Sequence, residues 1–290
     1  MLTRNRFPRI ALFIFCAAIF AGSLSAQPYF DVLNLHYITS PAKKLTGSNN
    51  PSDVNYFSAQ AGLPLKMHDD IFVLNPFYEQ YNLLLTSVAG KTQTLSSIGL
   101  PLTFLKQWKN KSWKTGFAFI PRLNADFKNI AAHDYQYGGA VLAIYKKKEN
   151  LNYKFGLYYN SEFFGPFFIP LLGIDWKIND HVNLFGILPG NLELEYKFSP
   201  VLYGGINFKS ITNSYRFDGI SYLKISDNYL KLFLDYYLLK KIVITVEAGY
   251  SVLRKYKTGN SDIDNSAPDF VDGLLLKAGL SYRIRLNSND

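Results

Sequence analysis

Imidazole can ligate metals or carry protons near neutral pH, so the four histidines, His36, His68, His133 and His181, are the first residues to test for chemistry. Their spacing supports neither role. They are scattered, with no i, i+4 pair, no HExxH and no cluster of metal-ligand type. No G-x-S-x-G nucleophile turn occurs, and chain order nominates no Ser-His-Asp set. The stretch "GNSDIDNSAPD" (259–269) holds several aspartates but lacks the D-x-[DN]-x-[DN]-G-x₅-E spacing of a calcium loop. The single cysteine, Cys16, lies in an apolar N-terminal run. No catalytic residue, metal ligand or cofactor is therefore expected, and the chain is not expected to be an enzyme.

Other charged residues do recur in a pattern. Lys114, Arg122, Lys154, Glu193, Glu195, Lys197, Lys231, Asp235, Glu247, Lys277 and Arg283 each occupy alternate positions of a segment whose intervening positions are apolar. Side chains two apart share one face of a strand, so Glu193, Glu195 and Lys197 point one way together, as do Lys231 and Asp235. Inside a closed sheet such residues form either a salt-bridged network that fills the interior or a polar path for a small hydrophilic solute. Their mixed signs argue against strong ion selectivity.

The elements that would carry these charges are clearest near the end of the chain. In "DGLLLKAGLSYRIRL" (272–286), Leu274, Leu276, Ala278, Leu280, Tyr282, Ile284 and Leu286 fall on one face. Gly273, Lys277, Gly279, Ser281, Arg283 and Arg285 fall on the other, with Leu275 an apolar intruder. A period of two predicts a two-faced β-strand. The same alternation runs through 151–160, 191–198, 229–238 and 241–250, and through Trp113, Phe117, Phe119 and Leu123 in the first half. Strands near 29–40 and 71–85 are less cleanly two-faced.

What covers the apolar faces decides the fold class. A second sheet would make a soluble periplasmic sandwich; lipid would make a transmembrane barrel. Three features favour lipid. The polar faces are Gly-rich and carry both signs of charge, as a crowded lumen would. Trp108, Trp113, Tyr135, Tyr145, Tyr159 and Trp176 sit toward strand ends, where headgroup girdles need aromatic residues. Closure also removes the edges that an open sheet of this length would expose.

Two classes of break alternate along the chain. Short ones lie at 66–70, 109–112, 146–150, 177–180, 198–200 and 238–241; longer ones lie at 43–53, 125–136, 160–166, 210–219 and 255–270. This is the rhythm of an up-and-down meander with turns at one end and loops at the other. The expected architecture is all-β: a single up-and-down antiparallel transmembrane β-barrel of about 12–14 strands. The upper count depends on splitting 181–199 at Pro189-Gly190.

Composition agrees. The 290 residues are 16% aromatic and 18% charged, and mean hydropathy is near zero, because alternating apolar and polar residues cancel in window averages. Residues 1–26 have the anatomy of a cleaved secretory signal, with Arg4, Arg6 and Arg9 ahead of the run 10–22 and small residues before Gln27. Residues 27–290 form the expected barrel domain, with no linker or composition shift inside it. With Cys16 in the leader, the mature chain holds no disulfide or thiolate site. The formal charge of +9 accompanies no phosphate loop, helix-turn-helix pattern or base-stacking motif, so no nucleic acid partner is expected.

The segment "YYNSEFFGPFFIPLLGIDWKINDHVNLFGILPGNLELEYKFSPVLYGGINF" (158–208), followed by "EAGYSVLRKY" (247–256), resembles the outer-membrane barrel-like proteins of a domain-of-unknown-function family common in Bacteroidota. The likeness covers the second half of the chain in sequence and the first half in architecture. It implies the outer membrane of a Gram-negative bacterium, with membrane lipid and the barrel-assembly machinery as partners, and it implies no substrate. Leu286 followed by "NSND" departs from the aromatic ending of machine-inserted barrels. The functional expectation is a passive, porin-like channel or structural component. The alternative is a surface binding or adhesion module using the long loops.

Overall fold

The computed structural model describes residues 28–44, 51–85, 91–128, 130–217, 221–260, 263–266 and 272–286. The expected signal segment 1–26 and the tail after Leu286 lie outside the described residues.

The chain forms one antiparallel sheet that closes on itself as a barrel of fourteen strands. These are β1 (Tyr29–Lys44), β2 (Pro51–Ala61 and Leu63–Met67), β3 (Asp70–Leu74 and Phe77–Leu85), β4 (Lys91–Gly99 and Leu102–Gln107) and β5 (Trp113–Ala125). Then come β6 (Tyr135–Lys148), β7 (Leu151–Glu162), β8 (Gly165–Lys177), β9 (Val182–Leu188), β10 (Asn191–Lys197) and β11 (Leu202–Phe217). The last three are β12 (Ser221–Leu238), β13 (Ile242–Asn260) and β14 (Ile263–Ser266 and Gly273–Arg285). Each strand pairs with its sequence neighbours, and β14 pairs back onto β1 from Tyr29↔Arg285 to Thr39↔Leu276. Closure rules out the two-sheet sandwich alternative, and the split at Pro189-Gly190 is real.

Three strands are interrupted at one level, and the reason is local. Proline has no N–H for the ladder, so around Pro76, Pro101 and Pro121 the bonds regroup: Ala61 N–H donates to Pro76 O (2.9 Å), Asn75 N–H to Pro101 O (2.9 Å) and Leu100 N–H to Pro121 O (3.1 Å). Gly62 completes the row by donating to Val32 O.

The six short breaks expected from sequence all lie at one end, here the turn end, together with both termini of the barrel. At the loop end the sequence expectation needs correction. The stretch 160–166 is a tight turn at Phe163-Phe164 between β7 and β8. The stretch 210–219 is mostly β11, and 255–260 continues β13. Long polar stretches here are wall as well as loop, because strands that project beyond an apolar belt have no need of an apolar outer face.

Register shows where that belt stops. On β12, Leu230, Leu232, Leu234, Tyr236 and Leu238 face outward and are exposed, while Tyr229, Lys231, Phe233, Asp235 and Tyr237 are buried inside. Above Tyr229 the pattern inverts: Lys224, Ser226 and Asn228 face outward, and Leu223 and Ile225 face inward. A register shift between Ser226 and Asn228 against β13 marks the border, and Leu253 opposite it has a φ of 56°. On β14 the outward run from Leu274 to Ile284 covers about 33 Å of strand, or about 25 Å along the axis at a ~40° tilt. Aromatics flank it: Trp113 against Tyr145 (4.8 Å between ring centroids) and Trp176 at the turn end, Tyr159 against Phe168 (4.8 Å) at the loop end.

Inward glycines let neighbouring walls approach. A Cβ on Gly205 would lie 1.9 Å from the carbonyl oxygen of Leu194 on β10. Gly205→Val is expected to strain the β10–β11 ladder by about 1–3 kcal/mol, read as a lower urea midpoint of the refolded barrel. An unchanged midpoint would show that this approach is not required.

Candidate functional site

The candidate site is the lumen. Alternation on every strand of the second half sends one residue in two inward, and burial there away from bulk water obliges charges to find partners. Near the turn end Arg283 donates to Asp31 (2.6 Å) and Asp235 (2.5 Å), and its guanidinium lies 3.6 Å from the Tyr29 ring centroid. Below it Arg285 bonds Glu195 (2.6 Å) and the Tyr237 hydroxyl (2.9 Å), and sits 3.9 Å from the Tyr203 ring centroid. Together they floor the lumen with two arginines, three carboxylates and stacked tyrosines.

Above the floor Glu247 bridges Lys231 (2.5 Å) and Lys277 (2.6 Å). On the neighbouring wall Lys154 pairs with Asp175 at 2.6 Å. Glu193 accepts from the Tyr29 hydroxyl (2.9 Å) and from Asn207 Nδ2 (3.0 Å). Apart from Lys154 and Asp175, these groups surround a polar cavity of about 420 Å³ whose lining reaches Gly190 and Asn191 at the tip of the short β9–β10 hairpin.

The loop end is pinched shut. Residues near the top of β11 cross to the opposite wall, where Arg216 meets Ala125 of β5 in a parallel bridge and Asp126 N–H donates to Arg216 O at 2.9 Å. Glu162, fully buried at the end of β7, fastens this crossing. It accepts from the backbone N–H (2.9 Å) and hydroxyl (2.6 Å) of Ser214, from Asn160 and from Arg122. Arg122 also donates to Gln136 (2.9 Å) and Asn213 (2.9 Å). Beside the crossing an apolar plug fills the lumen, built from Ile38, Tyr56, Tyr81, Leu83, Tyr215, Ile225 and their neighbours. Ring centroids lie 4.5 Å apart for Tyr56 and Tyr81 and 5.7 Å for Tyr81 and Tyr215.

The sequence-predicted residues distribute among these clusters. Arg122 belongs to the loop-end fastening; Lys154, Glu193, Lys231, Glu247 and Lys277 line the middle; Glu195, Asp235 and Arg283 form the floor. Lys197 is half-buried at the turn end of β10, opposite Tyr203. Lys114 stands apart from them, in a second pocket at the turn end of β2–β6 shared with Lys66, Lys106 and Lys111. Sequence reasoning missed Asp31, His36, Glu162, Asp175, Lys209, Asp227 and Arg254. Alternation carried along β1 and β12 would have found His36 and Asp227, whereas the bulge between Asp31 and Leu33 puts Asp31 out of phase with His36. Glu162 was hidden because its surroundings read as a loop. Outside the wall, in the turn after β8, the Lys177 ammonium bonds the Asp180 carboxylate (2.7 Å) and holds its pKa below the usual value.

His133 lies 3.6 Å from the Asp134 carboxylate, but among the described residues no group of three or more His, Cys, Asp or Glu could hold a metal. The description "Domain of unknown function (DUF6268)" belongs to the family model that matches residues 74–283. The chain belongs to this family. The match runs from within β3 to within β14, so it takes in most of the wall of this DUF6268 barrel. No curated protein matches the chain. Among solved structures it is similar to the TodX monoaromatic hydrocarbon channel deltaS2 mutant, with 11% identity, a TM-score of 0.42 and 91% of each chain covered. It is also similar to the P. putida toluene transporter TodX, with 10% identity, a TM-score of 0.37, and 87% of this chain and 89% of that chain covered. Outer membrane phospholipase A from Escherichia coli matches at 11% identity and a TM-score of 0.32, over 91% of this chain and 99% of that one. What those proteins carry or cleave does not transfer to the DUF6268 barrel through such distant likeness.

Removing Glu162 leaves Arg122 buried beside an empty acceptor position. Glu162→Ala is expected to cost about 3–5 kcal/mol and Ser214→Ala only about 1 kcal/mol, compared by urea unfolding. Equal, small effects would mean that the crossing is held by backbone and apolar packing alone.

Proposed function

We propose that the protein is an outer-membrane barrel whose lumen is a closed, polar path for small hydrophilic solutes. The supporting observation is the continuous apolar outer face. Leu232, Leu274 and Leu276 and their counterparts around the wall stay exposed, while charged residues occupy the interior. In water each such side chain forgoes about 1.5–3 kcal/mol of burial; in lipid the same face is solvated and the closed sheet pairs its backbone apart from the notch above the short β9–β10 hairpin. On this reading the first and last strands' termini and the short turns face the periplasm, and the aromatic flanks lie at the two headgroup levels.

The path runs from the turn end through the mixed-charge cavity and stops at the plug of Tyr56, Tyr81 and Tyr215. A passive channel would conduct only when β11 releases its hold on β5 and β7. The extracellular adhesion alternative draws less support, because much of the polar sequence assigned to long loops is paired strand.

Cell fractionation with heat-modifiable gel mobility tests the location: the protein is expected in the outer membrane, with a compact unboiled band. A periplasmic soluble fraction would reject the reading. Leu232→Lys, at the middle of the outer face, is expected to lower stability in lipid vesicles by about 2–4 kcal/mol. In planar bilayers Tyr81→Ala with Tyr215→Ala is expected to raise open probability over the parent. Silence of both proteins under all voltages would reject the channel and leave a structural barrel.

A further inference from the structure

Charges in the central cavity are unevenly matched. Toward the plug, Lys209, Lys231 and Lys277 share the carboxylate of Glu247, which bonds the latter two, while Glu79 and Glu247 act on Lys209 only over distance. The Lys209 ammonium makes no ion pair or hydrogen bond with any described residue. His36 lies within electrostatic reach of all three lysines, so the basic character of this side is collective. Toward the floor, Asp31, Asp235 and Glu193 face one cation, Arg283, which bonds the two aspartates. Glu193 is left with neutral donors, Tyr29 and Asn207.

One wall therefore holds an ammonium and a carboxylate that are each bonded to no group of opposite charge among the described residues. Lys209 lies two residues beyond Asn207 on β11, and Asn207 pairs in register with Glu193 on β10, which puts the two charged positions within about 10 Å of backbone. Asn207 Oδ1, between them, is buried without a hydrogen-bond partner. A buried charge held only by distant counter-charges is costly, and here two of opposite sign remain separate across the cavity instead of collapsing into a pair.

We propose that this cavity binds a small zwitterion, its carboxylate against Lys209 and its ammonium against Glu193, with Asn207 Oδ1 accepting a further N–H. The inference rests on the reading of the lumen as a solute path and names the solute class. A singly charged anion or cation would satisfy one end and leave the other unmatched. The volume is in the roughly 300–1,000 Å³ range of small-molecule sites.

The test is isothermal titration of the full refolded barrel in detergent with glycine, β-alanine, γ-aminobutyrate and glycylglycine, which place the two charges at increasing separation. Acetate and methylammonium serve as singly charged controls. Saturable binding is expected for at least one zwitterion and at least tenfold weaker binding for both controls. Lys209→Met and Glu193→Gln, the latter keeping the side chain's size and one accepting oxygen, are each expected to weaken zwitterion binding about tenfold. Equal binding of acetate and the zwitterions, unaltered affinity in both folded variants, or no binding across the series would overturn the proposal. The wild-type comparison of ligands decides the matter if a variant fails to fold. Binding is read without any conductance, so a barrel that conducts but ignores zwitterions loses this site and keeps the path. One that binds without conducting loses the path and keeps the site.

Discussion

Every feature of this molecule follows from one constraint: a strand has two faces, and in a closed sheet one of them belongs to the outside all the way round. Once Leu274, Leu276 and Leu280 commit β14 to an apolar exterior, Lys277, Arg283 and Arg285 have nowhere to go but the lumen. The interior is then a low-dielectric space filled with charges, and such charges persist only as partners of one another. The floor, the Lys231–Glu247–Lys277 bridge and the Glu162 fastening are three solutions to that problem at three heights. Across β12, β13 and β14 the bridge runs Lys231, Glu247, Lys277, so that each charge there is set against one of opposite sign on the next strand.

The alternation that made the second half legible fails in the first half for a physical reason. Inward positions on β1–β4 include Ile38, Val54, Tyr56, Tyr81, Leu83 and Leu95, all members of the plug. With apolar residues on both faces the period of two loses its contrast, and proline kinks at 76 and 101 break what remains. The apolar intruder on β14, Leu275, has the same explanation: it is fully buried in that plug. The charge pattern could nominate which residues face inward but not which of them meet, because contacts such as Arg122 with Asn213 join strands remote in sequence. Ser214 and Glu162 were unreadable because both sit where strand polarity inverts beyond the belt, and a polar outer face reads as loop.

Inversion of polarity partway along β12 separates two tasks within one strand. Below Asn228 the outer face is apolar and exposed and the inner face carries charge; above it the outer face is polar and the inner face packs tyrosine and leucine. The upper barrel is in effect a small water-soluble core, assembled inside the rim from strands that the belt holds in register. Arg254 and Asp227, paired at 2.8 Å just inside this zone, mark the level at which the two arrangements meet. A core placed there closes the lumen with ordinary hydrophobic packing of residues on the wall strands themselves.

Why β11 should cross the barrel at all can be traced to its neighbours. β9 and β10 are seven residues each, shorter than the roughly 9–11 that span a bilayer when tilted, and their ladders with β8 and β11 stop at Leu172 and Lys209. Above that level two strands face a notch with open edges, and an unpaired backbone edge is costly wherever water is scarce. On the β8 side, Pro166 and Pro170 each lack the N–H that a ladder would otherwise use, a common treatment of an exposed edge. On the β11 side no proline intervenes, and the strand instead turns inward and spends its free edge on β5, with Ser214 meeting the tip of the β7–β8 turn through Phe163 N–H at 2.9 Å. The short hairpin and the closed loop end are thus one feature: the low wall creates the unsatisfied edge, and satisfying that edge draws β11 across the lumen. A longer β9–β10 hairpin would pair β11 along its full length, remove the reason for the crossing, and leave the polar cavity open to the loop side.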